Sequence, residues 1–277
     1  MTVTVRRSRR EHVTRTRNRC VPHVGAALLA ALLVASVALA APGYPPQPAP
    51  GVTGATSDSA ADPAALNLVW RVDIAVQRAM RTRRAYAGAG TETLLRSLNW
   101  WGGTGVIVFA ALLWLGGRAL GRHAVSQIGL RGAEGIAVAS ALSGITKGLA
   151  GRSRPFLAPG APWQWDFNHG WSDARYFSMP SGHTTATVAF AVAAAIAAWR
   201  TRHTAGGAFG VILLMSAACV GLARMYTDQH WLSDVIAAAV LGTATSLVLA
   251  AMHARGPATA YHRVMLGAGA ADPGRSR

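Results

Sequence analysis

The sequence predicts an all-α fold, a polytopic membrane helix bundle of about six transmembrane helices. Three observations carry that prediction. Apolar residues make up 51% of the chain, charged residues only 14%, and the apolar residues gather into long uninterrupted runs. Little chain remains for a soluble domain once those runs are marked out.

The runs are 24–41, 104–120, 133–150, 184–199, 208–223 and 232–252. Each is close to the length a helix needs to cross hydrocarbon, at about 1.5 Å of rise per residue. Several are rich in Ala and Gly, which insert weakly alone but let backbones approach. The neighbourhoods of Ser140 to Gly144 and Gly148 to Gly151 are candidates for such close packing. The chain therefore divides into a basic cytoplasmic leader (1–23), a signal anchor or signal peptide (24–41), a flexible outer linker (42–63), an amphipathic or interfacial segment (64–99), a membrane core (100–253) and a disordered cytoplasmic tail (254–277). A basic leader, an apolar run and Ala38-Leu39-Ala40 also describe a cleavable signal, but the run is longer than most signal cores, which favours an anchor. The linker is rich in Pro, Ala, Gly and Ser. After it, Leu66, Val69, Trp70, Asp73, Ile74 and Gln77 recur at helical spacing, as in a helix lying along the membrane surface.

A net charge of +16 in a soluble protein would suggest nucleic acid, but here most of the arginines flank apolar runs, so membrane lipids are the expected partners and nucleic acid is not. Placing Arg6, Arg7, Arg9, Arg10, Arg15, Arg17 and Arg19 inside puts Arg118, Arg122 and Arg131, then Arg200 and Arg202, then Arg255, on the same side. Segments 42–103, 151–182 and 224–231 then face outward, toward a periplasmic or extracellular space. Cys20 in the leader and Cys219 within the fifth run do not form a disulfide framework. No Cys-x-x-Cys and no phosphate-binding glycine loop is present, which removes the usual support for redox and nucleotide chemistry.

The remaining ionisable residues collect where this topology brings outer helix ends together. Lys147 is the only lysine in the chain. Alone, it reads equally well as a snorkelling side chain. Beside Arg154 and Arg224 it completes a set of three cations suited to a phosphate. Pro180-Ser181-Gly182-His183 precedes an Ala/Val-rich helix, where free backbone N–H groups and the positive helix end favour an anion. Gly182 permits close approach, Ser181 adds a hydroxyl, and His183 is placed to serve as a general acid. His230 and Asp234 share a helix face, so the carboxylate is expected to hydrogen-bond one ring nitrogen and leave the other as a nucleophile.

Read together, Lys147-x6-Arg154-Pro155, Pro180-Ser181-Gly182-His183 and Arg224-x5-His230-x3-Asp234 resemble the three-part signature of the type 2 phosphatidic acid phosphatase family, in order and with its internal spacing. The helix layout matches over roughly 103–252. The resemblance implies an integral membrane phosphatase acting on a lipid phosphate, without metal or cofactor. In it His230 attacks phosphorus, Asp234 orients the ring, and His183 protonates the leaving oxygen and later activates water. Lys147, Arg154, Arg224, Ser181 and the Gly182 backbone hold the phosphoryl oxygens. The family often has Ser before the third-motif arginine, where this chain has Ala223.

Segment 152–179 carries Phe156, Trp163, Trp165, Phe167, Trp171 and Tyr176, with Tyr226 and Trp231 nearby, a density suited to the lipid headgroup region. Interfacial anchoring and direct substrate contact both explain it. Vanadium-dependent haloperoxidases resemble the same motif set but are soluble. A transporter would need polar residues through the bilayer depth, whereas these collect at one face. A metallohydrolase using Asp166, His169, Asp173, Asp228 and the motif histidines His183 and His230 lacks ligand spacing of a known kind, and the cations would repel a metal. His12, His23, His123, His203, His253 and His262 fall on the inner side as ordinary polar residues.

Overall fold

The protein is represented by a computed structural model that describes residues 67–200 and 206–255. The leader, the run at 24–41, the linker and the segment beyond 255 lie outside the described residues. Within them, the regular elements are helices: α1 (Leu68–Arg84), α2 (Ala89–Trp100), a π-helical turn (Trp101–Gly105), α3 (Val106–Ala119), α4 (His123–Ala150), a 3-10 turn (Ala174–Tyr176), α5 (Gly182–Arg200), α6 (Gly206–Tyr226) and α7 (Leu232–Arg255).

Among the described residues, four stretches are long and apolar enough to cross a membrane: Ala89–Ala119, Gly182–Arg200, Gly207–Tyr226 and Leu232–Ala254. They point to a membrane protein. The run at 104–120 starts earlier than its hydropathy suggests, because α2 passes through the π-helical turn into α3 without a break. The run at 133–150 lies inside α4, which has 28 residues and is not one of the four. Its apolar character is diluted by Gly and Ser and by charged groups along its length, notably Arg131, Glu134 and Lys147.

The Ala-rich helix α5 is the centre of the bundle and packs against α4, α6 and α7, while α3 covers α4 from the other side. Between lipid-exposed helices the hydrophobic effect supplies little, so close van der Waals contact must hold them. Small residues provide it. A Cβ at Gly129 would lie 2.2 Å from the Trp114 amide nitrogen, and one at Gly132 would lie 2.4 Å from the Phe190 ring. Phe190 is in turn edge-on to Phe109 at 5.8 Å, and Phe109 meets Trp101 at 5.6 Å.

The two ends of the bundle differ. At one end Arg131 donates to Glu134 and to His253 Nε2, both at 2.9 Å, and Arg200 donates to the Ala250 carbonyl at 3.0 Å. His253 is thus part of an ion-paired cluster rather than an ordinary polar residue. Between these groups lies a cavity of about 330 Å³. The other end holds the C-termini of α4 and α6, the N-termini of α5 and α7, the segment 151–181 and helix α1.

Helix α1 forms where the spacing at 66–77 predicts a helix, capped by Asn67 through a hydrogen bond from the Trp70 amide at 3.0 Å. Its faces differ from the expectation. Asp73, Ile74 and Gln77 are buried, whereas Leu68, Val69 and Val72 are exposed. The helix turns polar groups inward, onto α7 and segment 151–181. Gln77 donates to the Pro155 carbonyl at 3.2 Å and accepts from the Gly160 amide at 3.2 Å, and Arg81 grips Asp228 at 3.0 Å.

Candidate active site

Segment 151–181 is irregular but closely tied down. Gly151 ends α4 at φ 56°, where only a residue without Cβ fits, because a Cβ would lie 2.1 Å from the Asp166 carbonyl oxygen. The Asp166 amide donates to the Gly151 carbonyl at 2.7 Å, and the Ser153 amide and hydroxyl both donate to the Gln164 carbonyl at 3.0 Å. This fixes the backbone on either side of Arg152.

Arg152 is 2% exposed, a charge that must be paired to be tolerated there. Its guanidinium donates to Asp73 at 2.9 Å, to Asp234 at 2.5 Å, to the Ser233 hydroxyl at 2.7 Å and to the Pro162 carbonyl at 2.9 Å. It sits between the indoles of Trp165 and Trp231, at 5.3 and 5.7 Å from their centroids. Trp231, expected at the lipid interface, is 1% exposed and donates to the Ser153 carbonyl at 3.0 Å. Its place is this cation site, which corrects the interfacial reading for that residue.

His230 follows the α6–α7 turn and is 3% exposed. Its Nδ1 lies 2.7 Å from the Ser178 carbonyl oxygen, which can only accept, so Nδ1 carries the proton. The nearest carboxylate oxygen of Asp234 is 3.7 Å from Nδ1, beyond hydrogen-bond range. The expected Asp234–His230 hydrogen bond is therefore replaced by a backbone one. Asp234 is fully engaged elsewhere: beyond Arg152, it accepts from the Ser178 hydroxyl at 2.5 Å and the Trp231 amide at 2.8 Å. The carboxylate holds the loop that aims the Ser178 carbonyl at the ring, and Nε2 of the neutral imidazole keeps its lone pair.

The three expected cations surround this histidine. Lys147 donates to the Phe177 carbonyl at 3.0 Å, and a Cβ at Gly182 would stand 3.7 Å from its Nζ. Arg154 donates to the Ala174 carbonyl at 3.0 Å and to Gln229 at 2.6 Å. Arg224 donates to Asn99 of α2 at 3.1 Å, and its Nε is buried without a hydrogen-bond partner. An orphaned buried donor of this kind fits a site that receives an anion. Burial first, then Arg154, Arg224 and Lys147, push the His230 pKa well below the ordinary histidine value, against a smaller upward pull from the Ser178 carbonyl.

Ser181 is fully buried; its amide donates to the Asp234 carbonyl at 3.2 Å and its hydroxyl accepts from Thr184 at 3.0 Å, leaving the hydroxyl proton free to donate. His183 lies within electrostatic reach of Arg224, His230, Lys147 and Arg154. The π-helical turn brings Gly102 against it, where a Cβ would come 3.2 Å from the His183 Cβ and 2.6 Å from Val220. All eight residues singled out from the sequence therefore occupy one end of the bundle. Ala223 is buried beside them.

The acidic residues considered as metal ligands disperse instead. Asp166 pairs with His169 at 2.7 Å, Asp173 with Arg175 at 2.6 Å, and Asp228 with Arg81 at 3.0 Å. Among the described residues, no three His, Cys, Asp or Glu side chains come together. Hydrogen bonds from His169 and Arg175 hold Asp166 and Asp173, respectively, below the usual carboxylate value. Trp163 packs on Trp70 at 5.9 Å, His169 stacks on Tyr176 at 5.7 Å, and Phe167 and Trp171 remain exposed.

Residues 129–257 match the family model described as PAP2 superfamily. The chain carries a PAP2-superfamily domain. It runs from within α4 to the end of α7, so it holds Lys147, Arg154, Ser181, Gly182, His183, Arg224, His230 and Asp234, and the match points to phosphatase activity. Neither the comparison with curated proteins nor that with solved structures returned a match. Helices α1 to α3 lie outside the PAP2 segment, yet supply Asp73, Asn99 and Gly102 to the site.

Sequence reasoning missed Arg152, Ser178, Gln229, Asn99 and the role of Asp73. One signal was available: a carboxylate on the apolar-spaced face of an amphipathic helix, which marks a buried charge in need of a partner.

The lowered His230 pKa has a checkable sign. The unfolded chain accepts a proton on this residue near pH 6.5, and the native state resists it. Stability should therefore fall as pH drops below 6.5, until native His230 itself protonates. Apparent melting temperatures of wild type and His230→Gln between about pH 5 and 7.5 should converge toward acid, since the glutamine cannot titrate. A wild-type dependence identical to the mutant's would contradict the shift.

Proposed function

We propose that this protein is an integral membrane phosphatase that removes phosphate from a lipid phosphate or pyrophosphate through a phosphohistidine on His230. The observation that carries this reading is the state of His230. Its Nδ1 proton is committed to the Ser178 carbonyl, and burial among three cations keeps the ring neutral. Nε2 is thereby a nucleophile among cations suited to negative charge.

In the proposed reaction the phosphoryl oxygens lie among Lys147, Arg154, Arg224, the Ser181 hydroxyl and the Gly182 amide. The Nε2 lone pair forms the N–P bond as the P–O bond to the leaving group breaks, and His183, protonated once the substrate's negative charge offsets the surrounding cations, gives its proton to the departing oxygen. His183, now neutral, takes a proton from water as the resulting hydroxide oxygen bonds to phosphorus and the N–P bond breaks. Phosphate leaves, and both histidines return to their starting protonation. Arg152 and Asp234 stay paired throughout and hold the loop. No step calls on a metal or cofactor.

Substrates of the isoprenyl pyrophosphate, phosphatidate or phosphatidylglycerophosphate type suit a site at one end of membrane-spanning helices, with exposed Phe167 and Trp171 on segment 151–181 at that end. The site is proposed to face outward. The support is the basic leader and the arginines at the far end, Arg118, Arg122, Arg131 and Arg200; α1 adds Arg71, Arg78, Arg83 and Arg84 at the His230 end, so the arginine balance is less one-sided than the apolar runs alone suggest.

Detergent-purified protein with EDTA should release phosphate from at least one of the three lipid classes, and His230→Ala should lower release on the order of 1,000-fold or more. Equal release by the mutant would sink the assignment. No release from any lipid would move the reading to a non-catalytic lipid-phosphate binder or transporter, and vanadate-dependent halide oxidation would move it to a haloperoxidase-like enzyme. For orientation, Phe167→Cys in a background without native cysteines should react with a membrane-impermeant maleimide in intact cells. Labelling only after permeabilisation would reverse the topology.

A further inference from the structure

The geometry points to Asp73, on α1 outside the PAP2 segment, as a positioning residue for His230, acting through Arg152, Asp234 and Ser178. The inference rests on His230 as the reacting group of the proposed phosphatase. Each link is a short contact between buried groups. Asp73 is 1% exposed, and its carboxylate accepts from Arg152 at 2.9 Å, the Ser233 amide at 2.8 Å and the Ser233 hydroxyl at 2.6 Å. Arg152 passes the constraint to Asp234 at 2.5 Å, and the other oxygen of Asp234 accepts from the Ser178 hydroxyl at 2.5 Å. Ser178 closes the series, since its carbonyl accepts the Nδ1 proton of His230 at 2.7 Å.

The series has a physical purpose that the shorter pair does not. Asp234 lies 3.7 Å from His230 Nδ1 and would compete with the Ser178 carbonyl for that proton if it could rotate. Arg152 restrains one of its oxygens, while Ser178 and Trp231 hold the other. Arg152 can do this only while its guanidinium plane is fixed, and Asp73 fixes the edge opposite Asp234. Without Asp73, Arg152 loses the partner that fixes one edge of its guanidinium, its hold on one Asp234 oxygen loosens, and the Asp234 carboxylate can compete with the Ser178 carbonyl for the imidazole proton. The bundle core needs no carboxylate on α1 for packing, because Ile74 already fills the neighbouring buried position. An acid buried there is expensive unless it does something beyond filling space.

Two readouts separate positioning from a plain structural role. In ¹⁵N-histidine NMR of the full-length protein, His230 should show a single tautomer protonated on Nδ1. Asp73→Asn should shift or broaden that resonance, and Ser233→Ala, which keeps every charge, should move it in the same direction by less. In phosphate release, Asp73→Asn should lower kcat about 10- to 100-fold with KM changed less than about twofold. On a Ser178→Ala background the same substitution should cost less than about twofold, because the link is already cut. A His230 resonance unmoved in both variants, or an equal kcat loss on both backgrounds, overturns the inference. A wild type that releases no phosphate, with the resonance still moved by Asp73→Asn, overturns the phosphatase reading and upholds the positioning role.

Discussion

The site depends on one buried cation. Arg152 is held between the carboxylates of Asp73 and Asp234 and between two indole faces, and it ties together three parts of the chain that are distant in sequence: α1, segment 151–181 and the start of α7. A buried ion pair contributes little net stability when whole, but removing one partner strands a desolvated charge at a cost of about 3–5 kcal/mol. Loop 151–181 has few regular backbone pairings of its own. The position of Ser178, and through it the direction of the His230 ring, follows from this cluster.

Around that fixed point the helix termini do the electrostatic work. The α5 N-terminus offers free amide groups, and the C-terminal ends of α4 and α6 deliver Lys147 and Arg224. Against Asp73 and Asp234 stand Arg152, Lys147, Arg154 and Arg224, so the site is net positive until an anion enters. The same excess of positive charge keeps His230 unprotonated, because a further proton would be both desolvated and repelled. In the proposed reaction, a cluster that attracts phosphate and one that preserves a nucleophile are thus a single arrangement. Glycines make it compact: Gly151 lets the loop turn back over α4, and Gly102 lets the π-helical turn press against His183.

Much of this was legible in the sequence. Four of the six apolar runs, 104–120, 184–199, 208–223 and 232–252, fall in helices long and apolar enough to span, and the motif residues were picked out by spacing, because spacing on a helix determines which face a side chain occupies. Three things were not legible. The partner of His230 is a backbone carbonyl, which leaves no residue-type signature, so the nearby Asp234 drew the assignment by chemistry alone. Trp231 looked interfacial because an aromatic near a helix end usually is; its indole instead covers a cation that the motif pattern passes over. Helix α1 read as amphipathic from its spacing, but hydropathy alone could not tell that Asp73 and Gln77 face inward while Val69 faces out.

The account stands or falls on His230 as the group that becomes phosphorylated. Rapid quenching of wild-type enzyme during turnover of a lipid substrate labelled in the transferred phosphate, followed by peptide mass spectrometry under alkaline conditions, tests it directly. The account predicts an acid-labile phosphoryl group on His230 Nε2, present during turnover and absent in His230→Ala. Phosphate release with no protein-bound label, or label on any other residue, would contradict it.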